Sequence, residues 1–141
     1  MRGATLLELL TVVVIAAIVT AIAVPPVSRS LDQAAVSAAA DRYAVLFEAS
    51  RDLAVAHARF TRLEIDTSMG AVTLAERGAT GSWDTVRTWS LGSARVAGTP
   101  PTVVFSPIGL GWGFSNGRVI LERGAAAETI TVSRTGRLKR W

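Results

Sequence analysis

The chain has 141 residues, half of them hydrophobic, and its net charge of +4 equals the charge of Arg134, Arg137, Lys139 and Arg140 at the end of the sequence. The pI of about 11.0 therefore describes a basic terminus rather than a basic protein. With no cysteine and one histidine, the composition excludes a disulfide framework and a thiolate nucleophile. It also leaves little material for a histidine-based metal or catalytic centre.

The length fits one domain plus an appendage. That appendage comes first. From Ala4 to Val24 the chain runs 21 residues with one charge, Glu8, and as a helix it would span about 30 Å, enough for a bilayer core. Two readings compete. Arg2 and the run Ala21-Ile22-Ala23 fit a cleaved secretory signal. The brevity of the positive region, the charge at Glu8 and the following Pro25-Pro26 favour a retained anchor. An anchor would leave Met1 and Arg2 on the cytoplasmic side.

Pro25 and Pro26 cannot donate backbone hydrogen bonds, so a kink or brief break is expected where the helix leaves the lipid. Ser30 or Asp32 could then cap a second helix reaching Phe60, since the intervening sequence is rich in Ala and Leu and free of Gly and Pro. Leu46, Ala49, Leu53, Ala56 and Phe60 recur at helical spacing and predict the buried stripe, with Asp41, Glu48, Asp52 and Arg59 on another side. Arg51 reads as a solvated or locally paired side chain. His57, beside the stripe, reads as a packed or hydrogen-bonded histidine rather than a ligand.

Beyond Phe60 the period changes to alternation. Leu63 and Ile65, then Val72 and Leu74, predict two strands around the turn at residues 67–70. Trp83 to Leu91, Val103 to Phe105, Phe114 to Leu121 and Thr129 to Ser133 are further strand candidates. Asn116-Gly117 carries a hairpin-turn signal, and Pro100-Pro101 marks a loop. The run Gly109-Leu110-Gly111-Trp112-Gly113 lacks both the helix context of a dinucleotide site and the Lys-Ser/Thr of a phosphate loop. It reads as a strand-connecting loop. Carboxylates are scattered singly, without the pairing that glycosidic or metal chemistry needs. No enzyme activity, cofactor, metal or small-molecule ligand is expected.

A resemblance joins these features. Gly3, followed by Ala4-Thr5-Leu6-Leu7-Glu8 and an apolar run, with Pro25 beyond it, resembles the processing site of type IV prepilins and type II secretion pseudopilins. The stretch LFEASRDLAVAHARFTRLEI, Phe105 to Gly109 and the terminal Gly136-Arg137 resemble the GspH/FimT group of minor pseudopilins. Arg51 occupies the position of that group's arginine, for which the resemblance implies a subunit contact as the alternative to a solvated or locally paired side chain. The likeness is strongest at the N-terminus and weaker through the middle strands.

It implies an α+β, pilin-like fold: a leader at 1–3, a transmembrane helix at 4–24, an amphipathic helix at 25–60 and a β-rich head at 61–141. It also implies cleavage between Gly3 and Ala4 by prepilin peptidase and N-methylation of Ala4. The family usually has Phe at that first mature position. Glu8 would pair with the new amine of a neighbouring subunit and set assembly register. The implied setting is the inner membrane, with the head outside and other pilins or pseudopilins as partners in a filament that supports secretion. The alternative is a DNA-binding minor pilin for DNA uptake, using Arg137, Lys139 and Arg140 with Trp141.

Overall fold

The computed structural model describes residues 5–98, 102–113, 116–133 and 135–141. Gly3, Ala4, Pro100, Pro101, Phe114 and Arg134, all named above, lie outside the described residues. One helix, α1 (Leu6–Ala56), runs for 51 residues. Thr5 caps it, its Oγ1 accepting the Glu8 N–H at 3.3 Å. The expected break at Pro25-Pro26 does not occur, and the helix is continuous through both prolines. Each proline removes a donor from the ladder, but its fixed φ is itself helical, so the chain carries on. Ser30 and Asp32 consequently start no helix. Ser30 Oγ donates back to the Pro26 carbonyl at 3.0 Å, and Asp32 pairs with Arg123 at 3.0 Å.

The buried stripe also differs from expectation. Leu46 is buried and Leu53 packs against the core as expected, but Val36, Ala39, Ala40, Tyr43, Phe47, Ser50 and Ala54 are fully enclosed, whereas Ala49 and Ala56 face solvent. The two aromatics decide the helix's rotation, because they bury far more area than the alanines weighted equally with them. Phe47 meets Phe105 edge-on at 5.0 Å and lies 6.4 Å from Tyr43, whose phenol is raised far above its ordinary pKa by burial. The helix ends through a left-handed turn at Ala58 (φ 52°), with the Arg59 N–H bonded to the Ala54 carbonyl at 3.1 Å.

Two antiparallel sheets cover the distal half of α1. The first takes the order β3-β2-β1-β5, from β1 (Thr61–Asp66), β2 (Ala71–Arg77), β3 (Trp83–Ser90) and β5 (Val103–Phe105). The second takes β4-β6-β7-β8, from β4 (Arg95–Ala97), β6 (Gly117–Arg123), β7 (Ala126–Val132) and β8 (Leu138–Arg140). The β1–β2 turn lies where the alternation predicts it, closed by Asp66 Oδ1, which accepts from Ser68 N at 2.8 Å and Met69 N at 3.1 Å. The Asn116-Gly117 signal does not make a hairpin. Gly117 pairs with Val132, and β6 turns into β7 at Gly124 instead (φ 55°). A Cβ on Gly124 would fall 2.2 Å from Asp32 Oδ2, so this turn sits directly against the helix.

The sheets divide the helix between them. Asp32 binds Arg123 and Ser37 binds Arg140 in the second sheet, nearer the N-terminal half. The first sheet meets α1 further along, where Thr61 Oγ1 donates to the Ser50 carbonyl at 2.8 Å and lies 3.1 Å from Ser50 Oγ.

Candidate functional site

Two regions carry the residues singled out by sequence. The first is the N-terminal half of α1. Every described side chain from Thr5 to Leu31 is exposed, including Leu6, Leu10, Ile15, Val19 and Ile22. Mean hydropathy reaches 2.7 over its most apolar window, so the segment is long and apolar enough to cross a bilayer. Its hydroxyls are satisfied locally, as an apolar medium requires. Thr11 donates to the Leu7 carbonyl at 2.5 Å and Thr20 to the Ala16 carbonyl at 2.7 Å. Glu8 is the acidic residue of the first turn, at the positive end of the helix dipole and three residues after its cap. Gly3 and Ala4, the other half of the expected processing and pairing site, lie outside the described residues.

The second region is the basic terminus, and β8 splits it. Alternation along the strand turns Lys139 outward with Arg137 and Trp141, while Leu138 and Arg140 turn toward α1. Arg140 Nε donates to Glu128 Oε1 at 2.5 Å, Nη1 pairs with Asp41 and Nη2 reaches Ser37 Oγ at 3.3 Å. The Glu128 hydrogen bond, then that to Asp41, raises the guanidinium pKa further. Arg140 thus ties β8 to β7 and to the helix. On the outer face, Lys139 Nζ lies 3.4 Å from the centre of the Trp141 ring. Thr131 pairs with Lys139 on one side and Arg118 on the other, so Arg118 joins the exposed basic row. A shallow groove of about 510 Å³ runs along Thr131, Ser133, Arg137, Lys139 and Trp141. Arg118 escaped the sequence reading because only the β6–β7 register brings it beside the terminus, and no local pattern encodes that register.

No known family pattern matches the chain, and no curated protein matches it by sequence. Solved structures do resemble it. The minor pseudopilin EpsH from the type 2 secretion system of Vibrio cholerae shares 15% identity at a TM-score of 0.60. The match spans 78% of this chain and 97% of that one. The type IV minor pilin FimU of Pseudomonas aeruginosa PAO1 gives the same identity and TM-score over 82% of this chain and 91% of its own. The fold is pilin-like.

Within that fold the remaining singled-out residues take modest places. His57 Nδ1 lies 3.0 Å from Glu76 Oε2, with Arg59 on the other carboxylate oxygen at 3.4 Å. The histidine closes the junction between helix and first sheet. Arg51 is half-buried beside Gly109. Among the described residues no group of three His, Asp or Glu side chains could hold a metal.

Proposed function

We propose that the chain is a non-enzymatic minor pseudopilin or minor pilin, a filament subunit held in the inner membrane by the first half of α1 with its head outside. The observation that carries this reading is the division of one helix. Its distal half is built into a head of pilin-like fold, while its first turns, Leu6 to Val24, carry a single charge, Glu8, and have no buried side chain among the described residues. An unpaired carboxylate at that depth is costly, so it calls for a cation. Cleavage by prepilin peptidase after Gly3 would create one at Ala4, later N-methylated, and pairing between subunits would fix their register. Other pilins or pseudopilins and membrane lipid are then the partners.

Co-expression with a prepilin peptidase tests this. Intact mass should lose residues 1–3 and gain one methyl group, and Glu8→Val should stay in the membrane while losing crosslinks from α1 to its neighbours. Cleavage after Ala23 would overturn the anchor, and normal crosslinking of the variant would overturn the assembly role.

DNA binding is a second reading, favoured by the outward row Arg118, Arg137 and Lys139 beside Trp141. Arg140 does not belong to it, being engaged with Glu128, Asp41 and Ser37. Full-length protein in detergent should shift a DNA duplex, and each cation neutralised should lower the salt dependence by about 0.9 in log–log slope. Absence of salt-sensitive binding in the parent protein removes this reading.

A further inference from the structure

The glycine-rich run between β5 and β6 builds an apolar surface at the far end of the helix. The segment is held rigidly. Ser106 N bonds the Leu110 carbonyl and Gly109 N the Ser106 carbonyl, each at 2.8 Å, and Trp112 N reaches back to the Val104 carbonyl at 2.8 Å. Ser106 Oγ adds a bond to the Leu110 carbonyl at 3.0 Å, and Gly111 forms a bridge with Phe105. Gly109 (φ 75°) lies so close to the helix that a Cβ would come within 3.0 Å of Val55 Cγ2.

What this ordered loop displays is unexpected. Ile108 is 74% exposed, Trp112 61% and Leu110 50%, with Val55 of the helix at 53% beside them. Trp112 also stacks edge-on against Phe60 at 5.5 Å. A loop free to collapse would tuck such side chains away, whereas this one is hydrogen-bonded into presenting them. Arg51 lies against Gly109, and Arg77 sits 5.9 Å from the Phe60 ring. Neither forms an ion pair among the described residues.

We propose that this patch is a docking surface for the head of a neighbouring pilin-like subunit, one that offers apolar side chains fringed by carboxylates. The occupant follows from size, charge and place. Four exposed apolar side chains, Val55, Ile108, Leu110 and Trp112, fall well short of the roughly 800 Å² and 20–30 residues that each partner contributes to a free-standing interface. Such a contact holds a chain already tethered in the same bilayer, where effective concentration supplies the rest, and holds a soluble protein poorly. The unpaired arginines select an acidic fringe. The patch lies about 45 Å along α1 from the end of the apolar segment, so it contacts heads rather than lipid. This inference rests on the filament reading and adds the surface that reading leaves unnamed.

The test uses the full chain, co-expressed in a membrane with the full-length pilin-like chains of the same genome that carry a leader glycine and a following glutamate. A photo-crosslinking amino acid is placed at Ile108, at Thr85 as an exposed control on the first sheet, or at Val12 within the apolar segment. Ile108 should give adducts with another pilin-like head and Thr85 should not. Trp112→Ser should reduce the Ile108 adduct by about tenfold or more, as loss of a central aromatic anchor does. Leu110→Ser, further from the Phe60 contact, guards against loss of folding in that variant and should also weaken the adduct. Adducts from Val12 without any from Ile108 overturn the docking surface while leaving the filament intact. Absence of adducts from both positions overturns the filament reading itself. Adducts from Ile108 to a soluble secreted protein overturn the assignment to a tethered subunit.

Discussion

Arg140 illustrates how a residue's type can mislead about its work. In sequence it belongs to a basic terminus, but its guanidinium spans two carboxylates and a serine that lie 12 to 103 residues away along the chain. Arg140→Met would leave Glu128, whose side chain is only 11% exposed, without its partner. Breaking such a pair from one side should cost about 2–3 kcal/mol, read as a lower denaturant midpoint at constant m. Lys139→Gln, facing solvent one residue earlier, should leave the midpoint unchanged. Asp66 gives a pH-dependent counterpart. Hydrogen bonds from the Ser68 hydroxyl, then from the Met69 and Ser68 amides, hold its carboxyl below the ordinary carboxylate range. A group depressed in the folded state stabilises above its unfolded pKa of about 4, and that contribution is lost as pH falls through the lower folded value. The midpoint difference between the parent and Asp66→Ala should therefore be constant from neutral pH to about pH 5 and shrink steadily below pH 4.

At the level of elements, the junction between α1 and β1 is the most exacting contact. Ser50 and Thr61 are both fully buried, and their hydroxyls satisfy one another and the Ser50 carbonyl. Thr61→Val should cost about 1–3 kcal/mol by orphaning Ser50, and adding Ser50→Ala should recover part of that loss in a double-mutant cycle. Additive losses would show that the pair does not act as a unit. Elements of this kind were unevenly legible in the sequence. The apolar and amphipathic helical runs, the β1–β2 hairpin and β5 follow from periodicity and turn chemistry close along the chain, whereas the continuity of the helix through Pro25-Pro26 does not. β4 and β8 are three residues each and mostly charged or small, so neither shows an alternating apolar face. The glycine that turns β6 into β7 is Gly124 rather than the partner of Asn116, because strand pairing outweighs a favourable dipeptide. The helix stripe was legible in spacing but not in rotation, since spacing alone does not weigh Tyr43 and Phe47 above Ala49. Glu8 and its distance from Gly3 could be read directly, whereas Arg118 needed the sheet.

Taken whole, the molecule is two physically separate parts sharing one helix. Burial begins at Asp32 and is complete first at Val36; before that, no described side chain is enclosed by the protein. The first half of α1 therefore contributes nothing to the head's core, and the second half is indispensable to it. Residues 28–141 should consequently fold on their own, with a Tm within about 4 °C of the full chain in detergent, the shift expected for a change of less than 1 kcal/mol. Residues 42–141 should not. That cut removes Val36, Ala39 and Ala40 from the core and deprives Arg123 and Arg140 of Asp32 and Asp41. Arg123, at the end of the interior strand β6, and Arg140, on the edge strand β8, would lose their helix partners, and the apolar faces of β6 and β7 would open to water. Thermal unfolding followed by near-ultraviolet circular dichroism separates the two outcomes, with a cooperative transition for 28–141 and none for 42–141. Loss of cooperativity in 28–141 would mean that the apolar half braces the head, and a helix free to pack in a membrane or filament would no longer explain why so much hydrophobic surface is left uncovered.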